Sequence, residues 1–127
     1  MNNTRNTIKH LLKADGYLLL NKKLMKELGI EATLILSDLI SKEQYFEERD
    51  KLTNEGEFFN TQENIEADTT LSLFKQKTAL EKLKELEIIE YSRKGVPAKW
   101  HFLINYEAIS DILSRIDEKI NNQLSNN

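Results

Sequence analysis

The chain has no cysteine, one proline, four glycines, two histidines and one tryptophan in 127 residues. Without cysteine there are no disulfides, no thiolate zinc sites, no iron–sulfur clusters and no thiol nucleophiles. An unstapled chain of this kind suits a reducing compartment, so a cytoplasmic location is expected. The scarcity of Gly and Pro, beside 39% hydrophobic and 31% charged residues, fits one mostly helical domain and excludes fibrous or wholly disordered classes. The longest apolar runs, such as Tyr17-Leu18-Leu19-Leu20, are too short to cross a bilayer. The opening Met1-Asn2-Asn3-Thr4-Arg5-Asn6 lacks the apolar stretch of a secretory signal, so neither export nor membrane insertion is expected. His10 and His101 lie far apart, and neither a Gly-rich phosphate loop nor a nucleophile elbow occurs. No metal, cofactor or catalytic residue is expected, and the chain reads as non-enzymatic.

The formal net charge of -3 is unevenly spread. Residues 1–42 sum to +3, residues 43–70 to -7, residues 71–101 to +3 and residues 102–127 to -2. A local patch, not the net charge, attracts phosphate, so the segregation keeps a nucleic-acid partner open. The acidic run Glu43, Glu47, Glu48, Asp50, Glu55 and Glu57 reads as a solvated face that repels DNA and so orients it.

Along the chain, residues 1–15 form a polar extension in which Ile8, Leu11 and Leu12 support two helical turns. Residues 16–105 read as the folded domain. Tyr17–Leu20 looks like a short buried strand or extended segment, and Asn21 caps a short helix over Lys22–Leu28 that Gly29 closes. A long helix follows from about Glu31 to Lys51, with Leu34, Ile35, Leu39, Ile40 and Tyr45 at helical spacing. Glu57–Asn60 is a short extended piece, and Thr61 caps a small helix. Ser72 caps a strong helix to about Leu86, whose stripe is Ala79, Leu80, Leu83 and Leu86. Residues 88–93 and 99–104 then read as a hairpin turning at Lys94–Ala98. Residues 106–127 form an amphipathic C-terminal helix with a frayed tail at 125–127.

A helix, a turn, a second helix and a two-stranded hairpin follow one another in the order of a winged helix-turn-helix. The expected class is therefore mainly α with a small β-hairpin: a three-helix core, a wing and an added C-terminal helix. The segments Thr61–Ile65, Leu71–Gln76 and Leu80–Leu86, with the turn Lys94–Lys99 and the strand Phe102–Asn105, resemble the winged helix modules of phage and plasmid replication proteins. These include replisome organisers and the N-terminal region of DnaD-like primosome proteins. The resemblance runs from about Gly16 to Ala108. It departs from the pattern at Glu87, where many such domains have Gly, and nothing resembles the second domain of the longer members. It implies action in replication initiation or transcriptional control of a mobile element.

On the second helix of the motif, Ser72 and the inward Leu stripe turn Phe74, Lys75, Lys77, Thr78 and Lys82 outward. Lys75, Lys77 and Lys82 suit phosphates, while Thr78 and Gln76 suit base edges. Gln76 precedes Ala79 and Leu80 by three and four residues, so it can instead turn to the core. Glu81 and Glu85 fit the alternative of a merely solvated face. Arg93, Lys94 and Lys99 surround the hairpin tip, where they can straddle a DNA backbone or simply guard a strand edge. These cations are expected to converge on one positive platform beside the hairpin. Leu73 and Phe74 can touch thymine methyls or a protein partner, or one of them can tuck against the preceding turn. Ile109, Ile112, Leu113, Ile116 and Ile120 form a stripe expected to make a homodimer and so a palindromic site; the alternative is a helix folded back on its own domain. The expected function is double-stranded DNA binding. The rival is a protein-interaction module in a replisome or primosome that keeps the winged fold and docks through Phe74.

Overall fold

Short polar side chains open the helices of this chain, and residues with positive φ close several of them. The computed structural model describes residues 2–14 and 16–125, with side chains for all of these except residues 2, 119–121, 124 and 125. Helix α1 spans Asn2–Ala14, α2 Lys22–Leu28, α3 Ile30–Glu48, α4 Gln62–Thr69, α5 Leu73–Glu85 and α6 Tyr106–Ser125; the strands are β1 (Phe58–Asn60), β2 (Ile89–Lys94) and β3 (Lys99–Ile104). The protein is thus mainly helical with a small antiparallel sheet. No described helix is long and apolar enough to cross a membrane.

Asn21 Oδ1 accepts the Leu24 N–H at 3.0 Å and starts α2. Gly29, at φ 85, ends α2 and starts α3 in a single residue, a turn that a Cβ would strain. Thr61 Oγ1 and Ser72 Oγ accept the Asn64 and Lys75 N–H groups at 3.1 and 3.3 Å, opening α4 and α5. Asn105 Oδ1 caps α6 through the Glu107 and Ala108 N–H groups. Helix α5 closes at Glu87, where the Glu87 and Ile88 N–H groups return to the Lys84 and Leu83 carbonyls at 2.9 Å each. That is a Schellman closure, and it holds Glu87 at φ 62 in the conformation glycine favours.

The core lies where α3 crosses α5 over the sheet. Ile35, Leu36 and Leu39 of α3 meet Ala79, Leu80 and Leu83 of α5, while Ile88, Ile89 and Phe102 close the sheet side. Each such aliphatic side chain contributes about 1.5–3 kcal/mol on burial. The sheet order is β1-β3-β2, with Phe58 opposite Phe102, Asn60 opposite Trp100, Tyr91 opposite Phe102 and Arg93 opposite Trp100. Period-2 alternation therefore puts Phe58, Asn60, Tyr91, Arg93, Trp100 and Phe102 on the inner face. Lys94, Lys99 and His101 fall on the outer face.

Several expectations need correction. The N-terminal helical turns are a 13-residue helix, since no Gly or Pro interrupts the chain before Gly16, and every described side chain of α1 is exposed. Tyr17–Leu20 is not a strand: the sheet lies elsewhere, so the segment has no strand to pair with. It is tied instead by Ser37 Oγ donating to the Leu19 carbonyl at 2.7 Å. Helix α3 stops at Glu48, short of Lys51. Leu86 leaves the stripe because it is the C-cap of α5 and is exposed. The hairpin gains a third strand, β1. Ile109 and Ile112, expected at a dimer interface, are buried in the chain's own core, and Leu113 and Ile116 pack against it half-buried. Helix α6 thus folds back over α2, fastened by an ion pair between Lys23 and Asp117 and a hydrogen bond from the Tyr106 hydroxyl to Glu43. The Ile120 side chain and the tail at 126–127 lie outside the described residues.

Candidate nucleic-acid interface

The face of α5 that the core does not claim is decided by Gln76. This side chain is fully buried, with its Nε2 donating to the Leu71 carbonyl at 2.9 Å and the Gln62 carbonyl at 3.2 Å. It locks the turn between α4 and α5. The expected role of Gln76 as a base reader is therefore wrong, because the side chain is fully buried and its amide nitrogen is spent on two backbone oxygens inside the protein. Gln76 shares the i, i+3, i+4, i+7 row with Ala79, Leu80 and Leu83, the sequence signal that favours an inward position.

With Gln76 inward, Leu73, Phe74, Lys75, Lys77 and Thr78 are exposed. Phe74 is 78% exposed and Leu73 52%, so neither tucks against the preceding turn. Thr78 Oγ1 donates to the Phe74 carbonyl at 3.2 Å, and the residue stays exposed. Ser72 is held at the cap. Lys82 is not a free cation: its ammonium donates to the Leu28 carbonyl at 2.6 Å, at the C-terminal end of α2, where the helix dipole favours positive charge. This bond tethers α5 to α2 while Lys82 stays exposed.

The cations do not converge on one platform. Lys75 and Thr78 border a cleft of about 400 Å³ against Leu28, Gly29 and Ala32. Lys77 and Glu81 border another of about 360 Å³, whose far wall is Tyr91, Trp100 and Phe102. Phe74 lines both clefts, so α5 stands as a ridge with a lysine on each flank. In the hairpin the strand pleat separates the three expected contacts. The Arg93 guanidinium lies 4.8 Å over the Trp100 ring, on the side of the second cleft. Lys99 lies 4.6 Å over Phe59 on the outer face. Lys94 pairs with Glu57 at 2.6 Å; the hydrogen bond to Glu57, with the charges of Glu57 and Glu55, pushes its pKa up. Of the three cations at the tip, Lys94 is thus paired, while Arg93 on one face and Lys99 on the other form no ion pair among the described residues.

The cleft beside Lys77 escaped notice in the sequence. Tyr91 and Trp100 lie on neighbouring strands, 5.2 Å apart, and Lys84 approaches the Tyr91 ring at 5.2 Å. Burial, and then the charge of Glu81, push the Tyr91 phenol pKa up, in keeping with a carboxylate close to the rings. The signal available was the alternation of Ile89 with Tyr91 and of Trp100 with Phe102, which places all four on one side once the two strands pair.

Asp38 is a second group that sequence reasoning missed. It is 2% exposed, with Oδ2 lacking a partner. Burial, together with the Asp68 carboxylate, raises its pKa from 3.8 to about 6, against the opposing pull of Lys42. Lys42 is paired with Asp68 at 2.7 Å. This cluster joins α3 to α4, with Asp38 buried and the Lys42–Asp68 pair partly exposed above it, and takes no part in the α5 face. Comparison with protein-family models, with curated proteins and with solved structures finds no match for the chain.

Proposed function

We propose that the chain is a non-enzymatic winged helix protein that binds double-stranded DNA, with α4 and α5 as its helix-turn-helix and β2–β3 as its wing. The observation that carries this reading is the start of α5, which holds Lys75 and Lys77 on opposite flanks of a protruding Phe74 and has no acid before Glu81. A helix is about 10–12 Å across and the major groove about 12 Å wide. A helix lying in that groove meets one phosphate strand on each side, so cations on both flanks suit it better than a single patch would. Thr78 is then the candidate base reader, and Arg93 extends the contact along the wing side. Glu81 and Glu85 confine contact to the first two turns, the part of a recognition helix that reads bases.

The resemblance of the chain from about Gly16 to Ala108 to replication modules supports a role in replication initiation or transcriptional control of a mobile element. Fluorescence anisotropy with mixed-sequence duplexes tests the reading: binding at low salt that weakens steeply as salt rises supports it, and no binding to any duplex at low salt overturns it.

A second reading, a protein-docking module of a replication assembly, is favoured by the exposure of Phe74 and Leu73. Reversing both Lys75 and Lys77 to Glu separates the two readings, since DNA binding collapses whereas docking through Phe74 persists.

A further inference from the structure

We infer that the cleft between α5 and the wing accepts one unpaired nucleobase, so that the protein favours DNA carrying a base out of the stack over a fully paired duplex. This inference rests on the DNA-binding reading above. The cleft combines three features. Aromatic side chains supply flat surface: Tyr91 and Trp100 form one wall and Phe74 stands at the opposite lip. Lys77 lines it on the helix side, and beyond the lining residues Arg93 lies over Trp100 on the wing side. One carboxylate, Glu81, lines it and forms no ion pair among the described residues.

Each feature matches a part of an extruded nucleotide. Rings stack on aromatic side chains whatever the base, and lysine and arginine beside them hold the phosphates that flank it. At about 360 Å³ the cleft falls in the range of roughly 300–1,000 Å³ that holds small molecules. A buried apolar protein segment would not need the two flanking cations. An anionic strand would be repelled by Glu81 unless the carboxylate faced a base edge. There it can accept a hydrogen bond from an exocyclic amino group, as acidic side chains do from cytosine N4. Cytosine carries such an amino donor, whereas thymine offers only its ring N3–H, so an amino-bearing base is favoured over thymine.

Trp100 is the only tryptophan of the chain, which gives the cleft its own reporter. The test uses the full chain and three labelled duplexes of one sequence: fully paired, with one extra cytosine at the centre, and with one extra thymine there. The expected result is that the cytosine bulge binds about tenfold more tightly than the paired duplex, the order of one stacked base. It should also quench Trp100 emission, with the thymine bulge intermediate. Tyr91→Leu, which removes one aromatic ring from the cleft wall and leaves the α5 face untouched, should remove the bulge preference while the paired duplex still binds. Glu81→Gln should narrow the gap between cytosine and thymine. Equal binding of all three duplexes, or a preference with unchanged Trp100 emission, overturns the inference and leaves duplex binding standing. No binding to any of them overturns the DNA-binding reading itself.

Discussion

The Gln76 side-chain amide donates at 2.9 Å to the Leu71 carbonyl, bridging the second residue after α4 and the first turn of α5. A polar side chain thus sits at the centre of an apolar contact and fixes the angle at which the candidate recognition helix leaves the turn. Gln76→Ala should destabilise the fold by about 2–3 kcal/mol in urea unfolding, because the Leu71 and Gln62 carbonyls lose their buried donor. The affinity of the folded fraction for duplex DNA should change far less than in Lys77→Ala. A Gln76 variant that folds normally but loses only DNA binding contradicts the assignment of this residue to the core.

The proposed DNA binding distinguishes lysines placed to meet phosphate from those already engaged by the protein. Lys75→Ala and Lys77→Ala should each reduce the slope of log affinity against log salt by about 1. Lys94→Ala, whose ammonium is paired with Glu57, and Lys82→Met, whose ammonium is held by the Leu28 carbonyl, should leave that slope nearly unchanged. Anisotropy titrations from low to moderate salt measure all four variants on one scale.

Asp38 sets a pH dependence of stability. Its pKa in the folded protein, about 6, lies above the ordinary value of 3.8, so between these values the folded state holds a proton that the unfolded state has released. Stability therefore falls as pH rises through this window. The penalty is complete above about pH 6, at about 2–3 kcal/mol for a shift of this size. Asp38→Asn should flatten the dependence between pH 4 and 6 and raise the urea midpoint at pH 7.5, as followed by circular dichroism.

Glu87 occupies the position after α5 with φ 62, where glycine relieves steric strain. Glu87→Gly should stabilise the protein by about 0.5–1 kcal/mol, visible as a rise of a few degrees in the thermal midpoint. A drop in the midpoint would show that the Glu87 side chain contributes more than its backbone costs.

Helix α6 should behave as part of the core and not as a dimer arm. Ile112, 4% exposed, should cost about 2–5 kcal/mol on truncation to Ala, while the sedimentation coefficient of the folded variant matches that of the parent chain. A change in oligomeric state without loss of stability would restore the stripe to an intermolecular role.

The sequence itself determined the elements that local chemistry specifies. Asn21, Thr61 and Ser72 cap helices because a short oxygen can reach an N–H three residues on, and Gly29 turns the chain because nothing else enters its conformation cheaply. The row of Ala79, Leu80 and Leu83 faces inward because helical spacing leaves one continuous apolar surface. These effects act over a few residues and can be read in order along the chain. Only the tertiary structure decided which cations stay free. Lys82 is held by a carbonyl 54 positions away and Lys94 by a carboxylate 37 positions away, and the strand pleat sends Arg93 and Lys99 to opposite faces. Likewise Gln76 becomes a core residue only once two carbonyls from the preceding helix and turn meet it, and α6 turns inward only once α2 and the core offer it a surface. Charge and apolarity belong to each residue alone, but their availability to a partner depends on neighbours that the chain brings close only by folding.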